Sequence, residues 1–304
     1  MIETVAAIDC GTNTIKLLIG ALPDVAVREM RMVRLGQGVD TTGVLSREAL
    51  DRAFAALDEY AVLIAEHGAT RIRFCATSAT RDSGNAAVFT DGVRARLGIE
   101  PEVLTGDEEA ALAYDGAVRH LPGRPPSPVL VVDVGGGSTE LILGDRAPRQ
   151  VVSMDIGSVR LHERHLADDP PTRAQVEACT RDVDEHLDRC GLDPGTAATV
   201  IGVAGTVTTL AGGLLGLGTD RGPTEPVVVP VDAVRDLVGR LLAMPVAERR
   251  ALAWMHPGRA DVIGAGALIL DRVLSRVGVE ELLVSPTDIL DGIAWSMTDA
   301  HRGS

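Results

Sequence analysis

Two stretches of this chain share one pattern of apolar and polar positions. Residues 5–20 read VAAIDCGTNTIKLLIG, and residues 129–144 read VLVVDVGGGSTELILG. Each opens with an apolar run, breaks at D-x-G, crosses a short polar turn and closes with a second apolar run. That pattern predicts a β-hairpin whose turn presents a carboxylate, backbone N–H groups and hydroxyls. The copies align without a gap: Asp9 on Asp133, Gly11 on Gly135, Thr14 on Ser138, Gly20 on Gly144.

The likeness continues downstream. Arg34-Leu35-Gly36 resembles Asp155-Ile156-Gly157. A helix is expected to open after Ser46 in the first half and after Thr172 in the second, each residue serving as N-cap. A strand then enters a polar turn in both halves, over residues 72–81 and 200–209. Two copies of one α/β unit predict two similar domains, 1–124 and 125–304, with residues 122–128 (PGRPPSP) as the hinge. The last helix is a candidate to pack back on the N-terminal domain. The phosphate-type turns are expected to converge on an interdomain cleft.

Composition narrows the function. The formal charge is −14, which argues against nucleic-acid binding, since that needs a basic face. A phosphorylated ligand stays open, because N–H groups, arginines and metal act at short range. Aromatics are 2% of residues, too few for a site that works by stacking bases. Cys10, Cys75, Cys179 and Cys190 form no C-x-x-C pair and read as reduced, mostly buried thiols of a cytoplasmic protein. The uncharged stretch 194–219 is glycine-rich, which fits strand, loop and helix better than a membrane span.

The turns carry candidate chemistry. Gly135, Gly136 and Gly137 let backbone approach phosphate oxygens, and Ser138, Thr139, Thr12, Asn13 and Thr14 add short donors. Gly205 and Thr206 form a third such turn at a helix start, where the dipole favours an anion. The repeat breaks where Lys16 aligns with Glu140, so one hairpin carries a cation that can meet phosphate and the other a carboxylate that can face metal or water. Glu108-Glu109 opens a further helix, where capping competes with catalysis as its explanation. Glu109 and Glu140 are the candidates to orient or deprotonate water. His162 and His165 lack a zinc-helix pattern and read as a solvated face.

These residues resemble the exopolyphosphatase and guanosine pentaphosphate phosphohydrolase (Ppx/GppA) family, of the actin-like superfamily. The resemblance rests on IDCGTNTIKLLIG from Ile8, RLGQGVD from Arg34, ATSATRDSGN from Ala76, TGDEEAALAYDGA from Thr105, VVDVGGGSTEL from Val131, SMDIGSVRLHER from Ser153, GVAGTVTTLAG from Gly202 and HPGRADVIGAGALIL from His256. It implies two duplicated actin-like domains and a bacterial hydrolase of terminal phosphoanhydrides that uses Mg²⁺ or Mn²⁺. By motif position Glu109 is the base, Glu140 a second essential carboxylate, and Asp9, Asp133 and Glu140 are metal-associated. Arg81 reaches the phosphates, and Gly135 through Ser138 form the phosphate loop. Arg259 and Asp261 match a further motif, structural or substrate-adjacent. Thr12, Thr14 and Lys16 stand where relatives often have Ser, Ser and Arg.

The chain ends soon after SPTDILDG and so resembles the short, two-domain form, without the helical HD-type domain of longer relatives. The expected substrate is inorganic polyphosphate, preferably short, with guanosine pentaphosphate as the alternative. Rival readings are a kinase of the same superfamily and a weakly catalytic sensor of polyphosphate or an alarmone. No membrane partner is expected; a homodimer is a family-level expectation.

Overall fold

The computed structural model describes residues 3–299. It divides into two compact units. One holds the chain up to Gly116 together with the segment from Asp288 onward, and the other is Ala117–Thr287. The chain thus leaves the first unit at Gly116, ahead of the boundary placed after residue 124, and re-enters it at Asp288.

The first unit begins with an antiparallel meander, β1 (Val5–Cys10), β2 (Thr14–Ala21) and β3 (Asp24–Met32). After α1 (Val39–Thr42) and α2 (Arg47–Glu66), strand β4 (Arg71–Ala76) returns parallel to β1. Then come α3 (Ser78–Arg81), α4 (Ala86–Leu97), the short β5 (Glu102–Val103) and α5 (Gly106–Val118). The sheet order is β3-β2-β1-β4-β5.

Helix α2 forms because its apolar residues recur every three to four positions. Ala49, Leu50, Ala53, Ala56, Leu57, Tyr60 and Ile64 are buried in one stripe against the sheet. Full burial of a side chain such as Leu57 contributes about 1.5–3 kcal/mol. Ser46 caps the helix by accepting from the N–H of Ala49 at 3.2 Å, and the Tyr60 hydroxyl donates to Ile15 O at 2.9 Å.

The second unit repeats the plan with β6 (Val129–Val134), β7 (Thr139–Gly144) and β8 (Pro148–Met154). Helices α6 (Ser158–His165) and α7 (Arg173–Arg189) lead to β9 (Thr199–Val203), parallel to β6. It continues through α8 (Ala204–Leu214), β10 (Val227–Pro230), α9 (Val231–Ala243), α10 (Val246–Arg250), α11 (Ile263–Leu274) and β11 (Glu281–Val284). Its sheet order, β10-β11-β9-β6-β7-β8, is the first unit's order read in reverse with one added edge strand. Thr172 caps α7 through a reciprocal box with Gln175. The uncharged stretch from 194 onward forms a 3₁₀ turn, β9 and α8. Among the described residues no helix is long and apolar enough to cross a membrane.

The final helix, α12 (Ile289–Asp299), belongs to the first unit and crosses α5 at two glycines. A Cβ on Gly116 would lie 1.9 Å from Asp288 O, and one on Gly292 would lie 2.0 Å from Leu112 O. Only glycine permits backbones to approach this closely.

Candidate active site

Each hairpin places its D-x-G at the end of a fully buried strand, β1 or β6. The turns close alike: Gly11 N–H donates to Thr14 O at 2.9 Å, and Gly135 N–H to Ser138 O at 3.0 Å. The strand register keeps the aligned charges opposite each other, Asp9 facing Lys16 and Asp133 facing Glu140. Directly opposed residues of an antiparallel pair share one face of the sheet.

In the second unit the start of α6 shapes the glycine loop. The N–H groups of Ser158 and Val159 donate to Gly135 O and Gly136 O, both at 2.9 Å, and Arg160 Nε donates to Gly137 O at 2.8 Å. Three consecutive loop carbonyls are therefore committed to α6. Among the described residues, none accepts from the N–H of Gly136 or Gly137. Such free, successive N–H groups suit an anion. Gly157 permits the approach, since a Cβ there would lie 2.4 Å from Gly136 C and O. In the first unit Gly36 holds the corresponding place beside Thr12, where a Cβ would lie 2.3 Å from Thr12 Cγ2, a side-chain and not a backbone contact.

The third turn starts α8. Ala204 adopts φ 65°, a left-handed conformation that costs a non-glycine residue about 1–2 kcal/mol. No side chain caps the helix, which leaves its first N–H groups open to an anion. The Arg259 guanidinium lies flat on Gly205, where a Cβ would come 2.7 Å from Nη2, and its Nη1 donates to Thr209 Oγ1 at 3.1 Å. Arg249 in turn donates to Ala260 O and Asp261 O, fixing the segment that carries Arg259.

Several side chains expected to meet phosphate are committed within the protein. The Thr139 hydroxyl donates to Ile156 O at 2.6 Å, and that of Thr206 to Val134 O at 3.2 Å. Their protons are used, so these residues hold the turns together, and Thr206 can offer an anion its backbone N–H. Thr12 Oγ1 shares a hydrogen bond with Ser78 Oγ at 2.9 Å. Asn13 keeps its expected place in the turn, with Oδ1 buried and without a hydrogen-bond partner among the described residues. Lys16 departs most from expectation. Its Nζ lies 2.7 Å from Asp288 Oδ2 and 3.3 Å from Asp9 Oδ2, so it bridges carboxylates instead of facing an open turn.

The two glutamates that open α5 separate cleanly. Glu108 Oε2 accepts from the N–H and hydroxyl of Thr105, and Glu108 N–H donates back to Thr105 Oγ1. It caps the helix. Glu109 turns inward, 9% exposed, and Oε2 accepts from Arg81 Nη1 at 3.1 Å. Burial pushes its carboxyl up to about 7, against the pull of Arg81. A carboxyl that titrates near neutrality suits a general base.

Asp133 and Glu140 are 8% and 2% exposed neighbours, and Ser153 Oγ donates to Glu140 Oε1 at 2.8 Å. Among the described residues no group of three His, Cys, Asp or Glu side chains is arranged to hold a metal. Burial pushes the Cys75 thiol up to about 12, which removes it as a nucleophile at neutral pH. The residues given a role only with the structure are Ser78, Gly157, Arg160, Arg249 and Asp288. Ser78, Gly157, Arg160 and Asp288 sit in repeated or family-like segments, which was their one signal, and Arg249 sits in none.

Two units of matched topology, each with a D-x-G hairpin and a second turn at a helix start, define a duplicated, actin-like α/β protein. Comparison supplies the family. The profile of the Ppx/GppA phosphatase family matches residues 17–301, and the chain belongs to that family. It is 46% identical to exopolyphosphatase 2 of Mycobacterium tuberculosis, over 96% of this chain and 98% of the relative. The crystal structure of an exopolyphosphatase-like protein superposes with a TM-score of 0.94 at 42% identity, over 98% of this chain and 99% of the other. An exopolyphosphatase from Cytophaga hutchinsonii gives 0.90 at 29%, over 98% of each.

Proposed function

We propose that this chain is an exopolyphosphatase, releasing orthophosphate from the end of inorganic polyphosphate. The observation that carries the reading is Glu109, buried beside Arg81 with a carboxyl that titrates near 7. Glu109 takes a proton from water as the water oxygen bonds to the terminal phosphorus. The bridging P–O bond breaks, and the shortened chain departs with that oxygen. The N–H groups of Gly136 and Gly137 and the start of α8 hold phosphate oxygens.

Asp133 and Glu140 form an all-oxygen pair that would hold Mg²⁺ or Mn²⁺. Such a metal would neutralise charge on the phosphates. Asp9 is partly neutralised already by Lys16 and fits a role through water better than direct ligation.

The test is phosphate release from short polyphosphate, long polyphosphate and guanosine pentaphosphate, side by side with Glu109→Gln. Release from polyphosphate that depends on Glu109 is expected. Faster turnover of the nucleotide would assign the alternative substrate, and stoichiometric binding without release would assign a sensor.

A further inference from the structure

Lys16 is the sole lysine of the chain, and its neighbourhood is built around it. It stands opposite Asp9 in the first hairpin, and its side chain is 16% exposed. The nearer carboxylate belongs to Asp288, 272 residues away in sequence. Asp288 is itself tightly held. Its Oδ1 accepts from Leu290 N–H, and its own N–H donates to Asp291 Oδ2, both at 3.0 Å. Arg28 of β3 grips Asp291 with two nitrogens. The carbonyl of Asp288 packs on Gly116 of α5, the helix whose first turn carries Glu109. Asp288 therefore joins the cation beside Asp9 to the helix of the base.

We propose that Asp288 and Lys16 are a positioning pair that fixes Asp9 at the first turn, and that Lys16 does not bind the substrate's phosphates. The inference rests on the hydrolase reading above. An ammonium shared at 2.7 and 3.3 Å between two carboxylates, 11% and 6% exposed, cannot reach a phosphate without giving up both ion pairs. Its effect on the reaction passes through Asp9. The second hairpin has Glu140 at this position, paired with Ser153, so the device belongs to the first unit alone.

Two measurements test it. In steady-state hydrolysis of tripolyphosphate, Asp288→Asn and Lys16→Met should each lower kcat by roughly 10-fold or more with KM within about twofold. Asp288→Glu should recover part of the loss. A large rise in KM for Lys16→Met, with a fall in KM for Asp288→Asn as the ammonium is freed, would overturn the proposal. The second measurement needs no activity. Because Lys16 is the sole lysine, amine acylation followed by peptide mass mapping reads it apart from the N-terminal amine. Lys16 should be protected in the parent, equally with and without tripolyphosphate, and exposed in Asp288→Asn. Labelling of the parent as fast as the N-terminal amine, or protection only on adding tripolyphosphate, would refute the pair. If the parent cleaves no polyphosphate, the hydrolase reading fails, while labelling still decides whether the pair exists. The parent arms suffice if a variant does not fold.

Discussion

Arg81 Nη1 donates to Glu109 Oε2 at 3.1 Å and to the carbonyl of Leu104 at 2.9 Å. The arginine expected at the phosphates is therefore anchored beside the base. One guanidinium orients the carboxylate, and its remaining nitrogens are the ones that can face substrate.

Replacing Glu109 with Gln keeps the hydrogen bond to Arg81 and removes basicity. Turnover should fall by roughly 10²–10⁴-fold, with KM little changed. In the parent the base must be ionised, so kcat/KM should rise with pH through about 7. The rise should vanish in the variant. Turnover within a few-fold of the parent would move the base role to Glu140.

The same group makes stability depend on pH. Its native pKa lies above the ordinary 4.5, at about 7, so the folded state holds the proton more tightly than the unfolded chain. The stabilising contribution is complete below 4.5 and is lost as pH rises through 7. The loss is on the order of 3 kcal/mol. Glu109→Gln cannot ionise, so its advantage in thermal unfolding over the parent should be larger at pH 8.5 than at pH 4. An equal difference at both pH values would show that burial does not shift this carboxyl.

Gly157 tests the glycine loop. A Cβ at this position meets backbone of Gly136 and Gly137 at 2.4–2.6 Å, and backbone cannot yield as a side-chain tip can. Gly157→Ala should displace the loop and lower kcat/KM by about 100-fold. Gly239, on the exposed face of α9, has nothing within 4 Å. Gly239→Ala should leave kinetics unchanged and add roughly 0.5–1 kcal/mol of stability. Equal kinetics for the two variants would remove the loop's tight seating from the mechanism.

Much of this arrangement was legible in the sequence because it is local. Hairpin, turn and cap signals each lie within a few residues, so the two D-x-G hairpins and the caps at Ser46 and Thr172 could be read directly. The gapless repeat aligned Asp9 with Asp133 and Lys16 with Glu140, while the opposition of Asp9 to Lys16 and of Asp133 to Glu140 comes from the strand register. The fate of Lys16 was not legible, since its closer partner arrives with a segment that returns to the first unit after the whole second unit. Which of Glu108 and Glu109 caps the helix was open for another reason. Both suit a first turn, and only the burial of one face decides. The bonds that the Thr139 and Thr206 hydroxyls make were not legible either, because sequence shows a donor but not the carbonyl it meets.

Metal dependence is expected from the carboxylates. Asp133 and Glu140 are buried side by side, and a polyanion brought to them is repelled unless a cation intervenes. Activity should vanish in excess chelator and return with Mg²⁺ or Mn²⁺. Asp133→Asn should raise the Mg²⁺ concentration needed for half-maximal rate, a readout that loss of folding would not mimic. Full activity in chelator would rule out this charge logic.

Chain length is the last test. The protein carries a formal charge of −14, and a polyphosphate presents a repeating negative charge to that surface. At physiological salt the repulsion reaches about 8–10 Å from the surface. A local basic track could defeat it, and Arg94 and Arg96 are the natural candidates in the first unit. Both are already committed. Arg94 pairs with Asp91 and Glu100, and Arg96 pairs with Asp58 and stacks on Phe54 at 4.3 Å. Phosphates beyond the turns therefore gain little and meet repulsion. We expect kcat/KM to fall as purified chains lengthen at fixed Mg²⁺, and the fall to soften at higher salt. A steady rise with length, steepest at low salt, would mean that a cationic path exists and that the net charge does not govern binding.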